Sequence, residues 1–213
     1  MNYINFSKPL IGDDERKAVD KVLKNGWLTT GYKTIEFQNK FLKYKKSKYA
    51  LALNSCTAAL HLSLKLLNLK KNDEVITSAM TFSSTINSIV ISGAKPVLAD
   101  VNFSTQNIDP IEIEKKITKR TKAILIVHFA GRPCDMDKIM KIKNKYKLHL
   151  IEDCAHVVEG KFKNKHLGTF GTFGCFSFYA TKNLSVGEGG MLLTNNKKLY
   201  DKTVCIMEVQ RLL

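Results

Sequence analysis

Several things are missing from this 213-residue sequence, and each absence narrows what the chain does. No apolar run approaches the roughly 18 residues of a membrane-crossing helix, so no span is expected. The opening Met1-Asn2-Tyr3-Ile4-Asn5-Phe6 lacks the basic start and apolar stretch of a signal peptide, which makes the cytoplasm the expected compartment. None of the five cysteines, Cys56, Cys134, Cys154, Cys175 and Cys205, forms a C-x-x-C pair. They read as small buried hydrophobes, not as a disulfide framework. The five histidines show no metal-ligand spacing. No G-x-G-x-x-G follows the first strand, and the Gly168, Gly171, Gly174 series precedes a strand at the wrong spacing, which speaks against a nicotinamide-binding domain. No internal repeat or low-complexity linker is visible.

Acidic residues are also scarce, 19 against 34 lysines and arginines, for a net charge of +15. Nucleic-acid binding has to be considered on that charge. The lysines are scattered or helically spaced, as at Lys138, Lys141, Lys143, Lys145 and Lys147, without a dense block of interleaved aromatics. A solvated basic surface is the plainer reading, and an anionic small substrate such as a nucleotide diphosphate would be drawn to the same field. No nucleic-acid partner is expected.

What is present is a strand-rich pattern with a real core, 44% of residues being hydrophobic. Seven short apolar runs read as strands: Tyr49–Leu53, Glu74–Thr77, Pro96–Asp100, Ala123–His128, Leu148–Asp153, Gly174–Phe178 and Met191–Thr194. Ala123-Ile124-Leu125-Ile126-Val127 is continuously apolar, as in a strand buried on both faces. Helical patterns separate most of the strands. Asp13 to Lys24 opens acidic and carries Ala18, Val19, Val22 and Leu23 on one side. Thr57 to Leu67 places Leu60, Leu64 and Leu67 at i, i+4, i+7. Phe82 to Ile91 and Met136 to Tyr146 follow. Alternating strand and helix predicts an α/β fold, a mostly parallel seven-stranded sheet with helices on both faces and ligands at the strands' carboxyl ends. The last two strands are joined by a loop, which predicts a mixed sheet.

That loop carries Lys182, at the exit of Phe176-Ser177-Phe178-Tyr179-Ala180-Thr181 and beside the bend Gly187-Glu188-Gly189-Gly190. Asp153 ends another strand, in Leu150-Ile151-Glu152-Asp153, and an acid there is costly unless paired. Its neighbour Glu152 is expected to point to the other face. A strand-end lysine and a strand-end aspartate are the protein groups pyridoxal phosphate most needs: an amine to condense with its aldehyde, and a carboxylate to keep its ring nitrogen protonated. Ser55, Cys56 and Thr57 sit between a strand and a helix start, where free N–H groups bind phosphate, although taken alone the segment reads more simply as a plain N-cap by Ser55. Phe82 is a candidate to lie on an aromatic ring, or a core residue. Asp153 serves either a pyridinium or a helix N-terminus. Ser177, at the same rim, is a candidate phosphate donor.

Taken together and in order, these pieces resemble the DegT/DnrJ/EryC1/StrS family of sugar aminotransferases, whose fold is that of the aspartate-aminotransferase-like pyridoxal-phosphate enzymes. The resemblance runs from Gly26-Trp27-Leu28-Thr29-Thr30-Gly31 through Asn54-Ser55-Cys56-Thr57-Ala58-Ala59-Leu60, Asn107-Ile108-Asp109-Pro110 and His128-Phe129-Ala130-Gly131. It ends at Glu152-Asp153-Cys154-Ala155-His156 and Ser177-Phe178-Tyr179-Ala180-Thr181-Lys182-Asn183-Leu184. It implies Lys182 as the covalent anchor, Asp153 as partner of the ring nitrogen and His156 beside the ring and its phenolic oxygen. It further implies Phe82 stacked on the ring, Ser55, Cys56, Thr57 and Ser177 around the phosphate, and Trp27, Thr29, Thr30 and Glu188 on the substrate side. Members with histidine at the lysine position act as dehydratases, and Lys182 argues against that branch.

The implied reaction moves an amino group from L-glutamate to a nucleotide-diphosphate keto-sugar, for polysaccharide or surface-glycan amino-sugar synthesis. The implied assembly is a homodimer. Residues 1–30 would form an N-terminal arm with the first helix, and 31–213 the cofactor-binding large domain. The tail Cys205–Leu213 does not look like the family's Arg-x-His-Gly stretch, so a C-terminal small domain is expected to be absent. A non-catalytic remnant, or a cofactor-binding or regulatory module of the same family, is the alternative that this leaves open.

Overall fold

The computed structural model describes residues 7–212, so the first six residues of the expected N-terminal arm lie outside it. Helix α1 (Asp13–Asn25) starts with Asp13, Asp14 and Glu15, whose charges suit the positive end of a helix, and the Gly12 N–H donates to Glu15 Oε2 at 2.7 Å. It ends at Gly26 in the left-handed conformation. None of its residues is buried. The apolar side read from the sequence therefore faces outward, with Val19 and Leu23 exposed.

Helix α2 (Tyr32–Lys45), not foreseen as a helix, packs Phe37 and Phe41 on the core one turn apart. Then come β1 (Tyr49–Leu53), α3 (Cys56–Leu66), β2 (Glu74–Ser78), α4 (Ser83–Ile91), β3 (Lys95–Ala99), α5 (Pro110–Lys115), β4 (Thr121–Val127), α6 (Met136–Lys145) and β5 (His149–Asp153). A small hairpin of β6 (Lys161–Phe162) and β7 (Lys165–His166) precedes β8 (Phe173–Ser177), β9 (Gly190–Thr194) and α7 (Lys197–Leu212). All seven strands read from the sequence form one sheet in the order β1-β9-β8-β5-β4-β2-β3. The five from β8 to β3 are parallel, and β9 runs antiparallel to both β8 and β1. The α/β fold with a mostly parallel mixed sheet is thus the one predicted.

Two cores flank the sheet. On one face α3, α4 and α7 cover Val75, Leu125, Ile151 and Cys175; on the other α2, α5 and α6 cover Ile76, Ile124, Leu150 and Phe176. Leu60 and Leu64 of α3 are wholly buried, each stabilising the fold by about 1.5–3 kcal/mol. Strand alternation sends Asp153 to the α3 face and Glu152 to the other.

Glu152 is fully buried and saturated. Its carboxylate accepts N–H bonds from Gly168 (2.8 Å), Phe170 (2.8 Å) and Gly171 (2.7 Å), and meets His128 Nε2 at 3.2 Å. The Cys134 N–H donates to His128 Nδ1, so Nε2 carries the ring proton and donates to Glu152. His128, Glu152 and Cys154 bring ligand-type atoms within 4.8 Å of one another, but the carboxylate is already occupied, which makes this a structural network. Beside it, Lys45 is 1% exposed; its Nζ donates to Val158 O at 2.8 Å and lies 4.5 Å above the Phe176 ring, and burial holds its pKa down. No helix among the described residues is long and apolar enough to cross a membrane.

Candidate active site

Because β1, β2, β5 and β8 point the same way, their carboxyl ends meet at one rim. A cavity of about 360 Å³ opens there. It is lined by Ser55, Cys56, Thr57, Phe82, Asp153, His156, Ser177, Lys182 and Glu188, together with Ser84 and Tyr179. The structure thus brings nine of the twelve residues singled out from the sequence to one place. Trp27, Thr29 and Thr30 are not among its lining; they lie in an exposed segment in which the Trp27 indole donates to Thr30 O at 3.1 Å. A larger open cleft, about 860 Å³, lies elsewhere, among Lys70, Asp73, Lys119, Lys122 and Lys147, and none of the twelve borders it.

Asp153 is 4% exposed. Its Oδ1 accepts the Ala155 N–H at 3.0 Å and its Oδ2 the Thr85 hydroxyl at 3.0 Å, while the Cys56 thiol lies 3.8 Å from Oδ1. Burial pushes the carboxyl pKa up, against the lowering effect of the Ala155 and Thr85 hydrogen bonds and of His156 and His128. Burial also pushes the Cys56 thiol well above its ordinary range, with the Asp153 charge adding to the effect. The thiol is therefore a proton-bearing neighbour of the aspartate, and what Cys56 offers a phosphate is its backbone N–H.

Ser55 caps α3, its Oγ accepting the Ala58 N–H at 3.1 Å. The N-cap reading holds for Ser55, and it leaves the first N–H groups of the helix, at Cys56 and Thr57, without helical partners. Gly190 lets this end approach the sheet: a side chain there would overlap the Ser55 carbonyl and stand 2.7 Å from Cys56 N. Gly190→Ala is expected to cost about 1–3 kcal/mol in a urea melt, as overpacking does, and to weaken phosphate-ester binding in an equilibrium titration; an unchanged melt would show that the helix end yields freely.

Ser177 is buried, and its Oγ accepts the Tyr179 N–H, which leaves its proton for the cavity. Phe82 is 75% exposed, which removes the core alternative for it. His156 lies exposed at the mouth of the cavity with only part of its ring desolvated, and its Nδ1 accepts the Ala130 N–H at 3.3 Å. Burial and the charge of Lys182 lower its pKa. An accepting Nδ1 leaves the ring proton on Nε2. Asn107, which the sequence placed in a motif without a role, fixes that arrangement: it accepts the Phe129 N–H and donates to Arg132 O and Pro133 O, framing Ala130. Lys182 is half-buried in the turn after β8, with its N–H bonded to Tyr179 O.

These groups fit pyridoxal phosphate on their chemistry. Asp153 is a buried carboxylate whose partners among the described residues are neutral donors, a setting that favours a cationic ring nitrogen. The amine, the exposed aromatic and the helix N-terminus border the same cavity.

A mostly parallel mixed α/β sheet of this kind is the fold of solved aminotransferases. Residues 9–210 match the model of the DegT/DnrJ/EryC1/StrS aminotransferase family, and the chain belongs to that family. It is 47% identical over 201 residues to the Bacillus subtilis spore coat polysaccharide biosynthesis protein SpsC, covering 94% of this chain and 52% of that protein. Among solved structures, an aminotransferase from Psychrobacter cryohalolentis superposes with a TM-score of 0.89 at 39% identity, over 92% of this chain and 50% of the other. The Escherichia coli GDP-4-keto-6-deoxy-D-mannose-3-dehydratase, solved with bound hydrated pyridoxal phosphate, gives 0.90 at 32% identity, over 94% and 53%. The chain spans about half the length of the curated relatives it matches.

Proposed function

We propose that this chain is the cofactor-binding domain of a pyridoxal-phosphate aminotransferase that transfers an amino group from L-glutamate to a keto-sugar carried on a nucleoside diphosphate. The observation that carries the reading is the placement of Lys182 and buried Asp153 on one cavity bordered by the N-terminus of α3. Family membership supports the aminotransferase chemistry. The polysaccharide role printed for SpsC and the GDP-sugar in the dehydratase's name support a nucleotide-linked sugar. The net charge of +15 favours such an anion.

When bound, the cofactor supplies an aldehyde to receive the amino group and a pyridinium ring to accept electrons. Lys182 would hold the aldehyde, and its amine would serve as the general base for the donor's Cα proton. Asp153 holds the proton on the ring nitrogen. His156, neutral, presents Nε2–H to the ring's phenolic oxygen. The Cys56 and Thr57 N–H groups and the Ser177 hydroxyl hold the phosphate, and Phe82 covers the ring. Glu188 borders the substrate side, and Trp27, Thr29 and Thr30 reach the sugar from outside the cavity. A second copy of the chain covers the exposed Phe82, Tyr179 and Val186 at the rim.

Borohydride reduction after incubation with pyridoxal phosphate, followed by peptide mapping, should place the label on Lys182. Label on another lysine, or none on folded chain, would end the reading. Label at Lys182 without glutamate-driven conversion would leave a cofactor-binding module without turnover of its own.

A further inference from the structure

Asp153 is held by a chain of hydroxyls that neither the motif reading nor the reaction above uses. Thr85, on the first turn of α4, is wholly buried and donates to Asp153 Oδ2 at 3.0 Å. A threonine hydroxyl has one proton, so Thr85 needs its own donor to be fixed as donor to Asp153. Thr81 is that donor: its Oγ1 stands 2.6 Å from Thr85 Oγ1. Thr81 precedes Phe82, the exposed aromatic at the cavity mouth. The relay therefore links the loop carrying the ring-facing aromatic to the carboxylate at the back of the cavity. Hydrogen bonds in such a chain polarise one another, and the low-dielectric setting strengthens them.

We infer that Thr85, oriented by Thr81, is a positioning residue for the cofactor's ring nitrogen: it keeps Asp153 ionised and fixes Oδ2, so that the carboxylate faces the cavity as an anion. This rests on the proposed function above and deepens it. Burial alone would drive Asp153 toward its neutral acid, and the Thr85 hydrogen bond opposes that shift. The other titratable groups near the carboxylate are His128 and His156, which lower its pKa, and the thiols of Cys56, Cys154 and Cys175, which are held protonated.

The test is an equilibrium titration of the chain with pyridoxal phosphate and with its 1-deaza analogue, whose ring has carbon in place of nitrogen. Thr85→Val removes the hydroxyl while keeping the shape, and should weaken pyridoxal-phosphate binding about ten- to a hundredfold, the scale of one hydrogen bond to a charged group. Thr85→Ser should restore it. The deaza analogue should bind wild type and T85V alike, because it asks nothing of the Asp153 charge. T85V binding the cofactor like wild type overturns the inference, as does T85S as weak as T85V, or a deaza analogue losing as much affinity as the parent. Should T85V not fold, Thr81→Val, at a half-buried position, must weaken the cofactor in the same direction by less; unchanged binding there overturns the inference. A wild-type chain that takes up no cofactor overturns the proposed function and the inference with it. Normal wild-type uptake with an indifferent T85V overturns the inference alone.

Discussion

Lys182→Ala is expected to lower glutamate-dependent amino transfer by at least about 10²–10⁴-fold, the usual contribution of a positioned acid–base group, and to abolish the borohydride-stable adduct. Two losses combine in this one change. In the proposed reaction the amine is both the covalent anchor and the base for the donor's Cα proton. No other described lysine borders the cavity. The fold should be indifferent to the change: Lys182 sits in a turn after β8, and substitutions away from the core usually shift stability by less than about 0.5 kcal/mol. A coupled glutamate assay, intact mass after reduction and a thermal melt separate these effects. Amino transfer within tenfold of wild type would remove Lys182 from its role.

The largest effect on stability is expected at Glu152, the neighbour of Asp153 on β5. Glu152→Ala should cost about 3–5 kcal/mol, because it strands several buried donors at once. Gly168, Phe170 and Gly171 each direct an N–H at its carboxylate, and His128 directs Nε2–H at it. An unpaired buried donor costs about 1–3 kcal/mol, and of the three N–H donors in the turn that of Gly168 is buried while those of Phe170 and Gly171 are partly buried. With domain stabilities near 5–15 kcal/mol, such a loss takes most of the margin. Glu152→Gln should cost less, since it keeps one acceptor oxygen, though its amide meets N–H groups head-on. Urea melts measure both. A cost below about 1 kcal/mol for the alanine variant would mean that the turn re-forms its bonds elsewhere.

The two acids at 152 and 153 also show what sequence can and cannot carry. Strand alternation is enough to send them to opposite faces, and the continuous apolar runs are enough to mark every strand of the sheet. The rim residues are legible for the same reason: Asp153, Ser177 and Lys182 follow strand ends, and a parallel sheet gathers strand ends. Helix α2 is not legible, because its buried stripe of Phe37 and Phe41 ends in Lys45, a residue whose type says surface and whose place beneath Val158 O and the Phe176 ring comes from distant segments. The hairpin of β6 and β7 is too short for any period. Helix α1 errs the other way: its apolar stripe reads as core, yet it lies uncovered. In the site, Asn107 was visible only as a member of a motif, and Thr85 only as a residue of the helical run Phe82 to Ile91. Their partners stand 68 and 22–26 residues away, beyond local patterning. Gly190 could be read as a bend, but not as the gap into which the start of α3 fits.

That gap has a kinetic corollary. In the proposed reading the phosphate group is held by main-chain dipoles at a helix start backed by a strand, whereas the excess of lysines is spread over solvated surface. Mobile ions screen the second and hardly reach the first. Raising ionic strength should therefore slow the capture of anionic ligands and leave their residence time nearly constant.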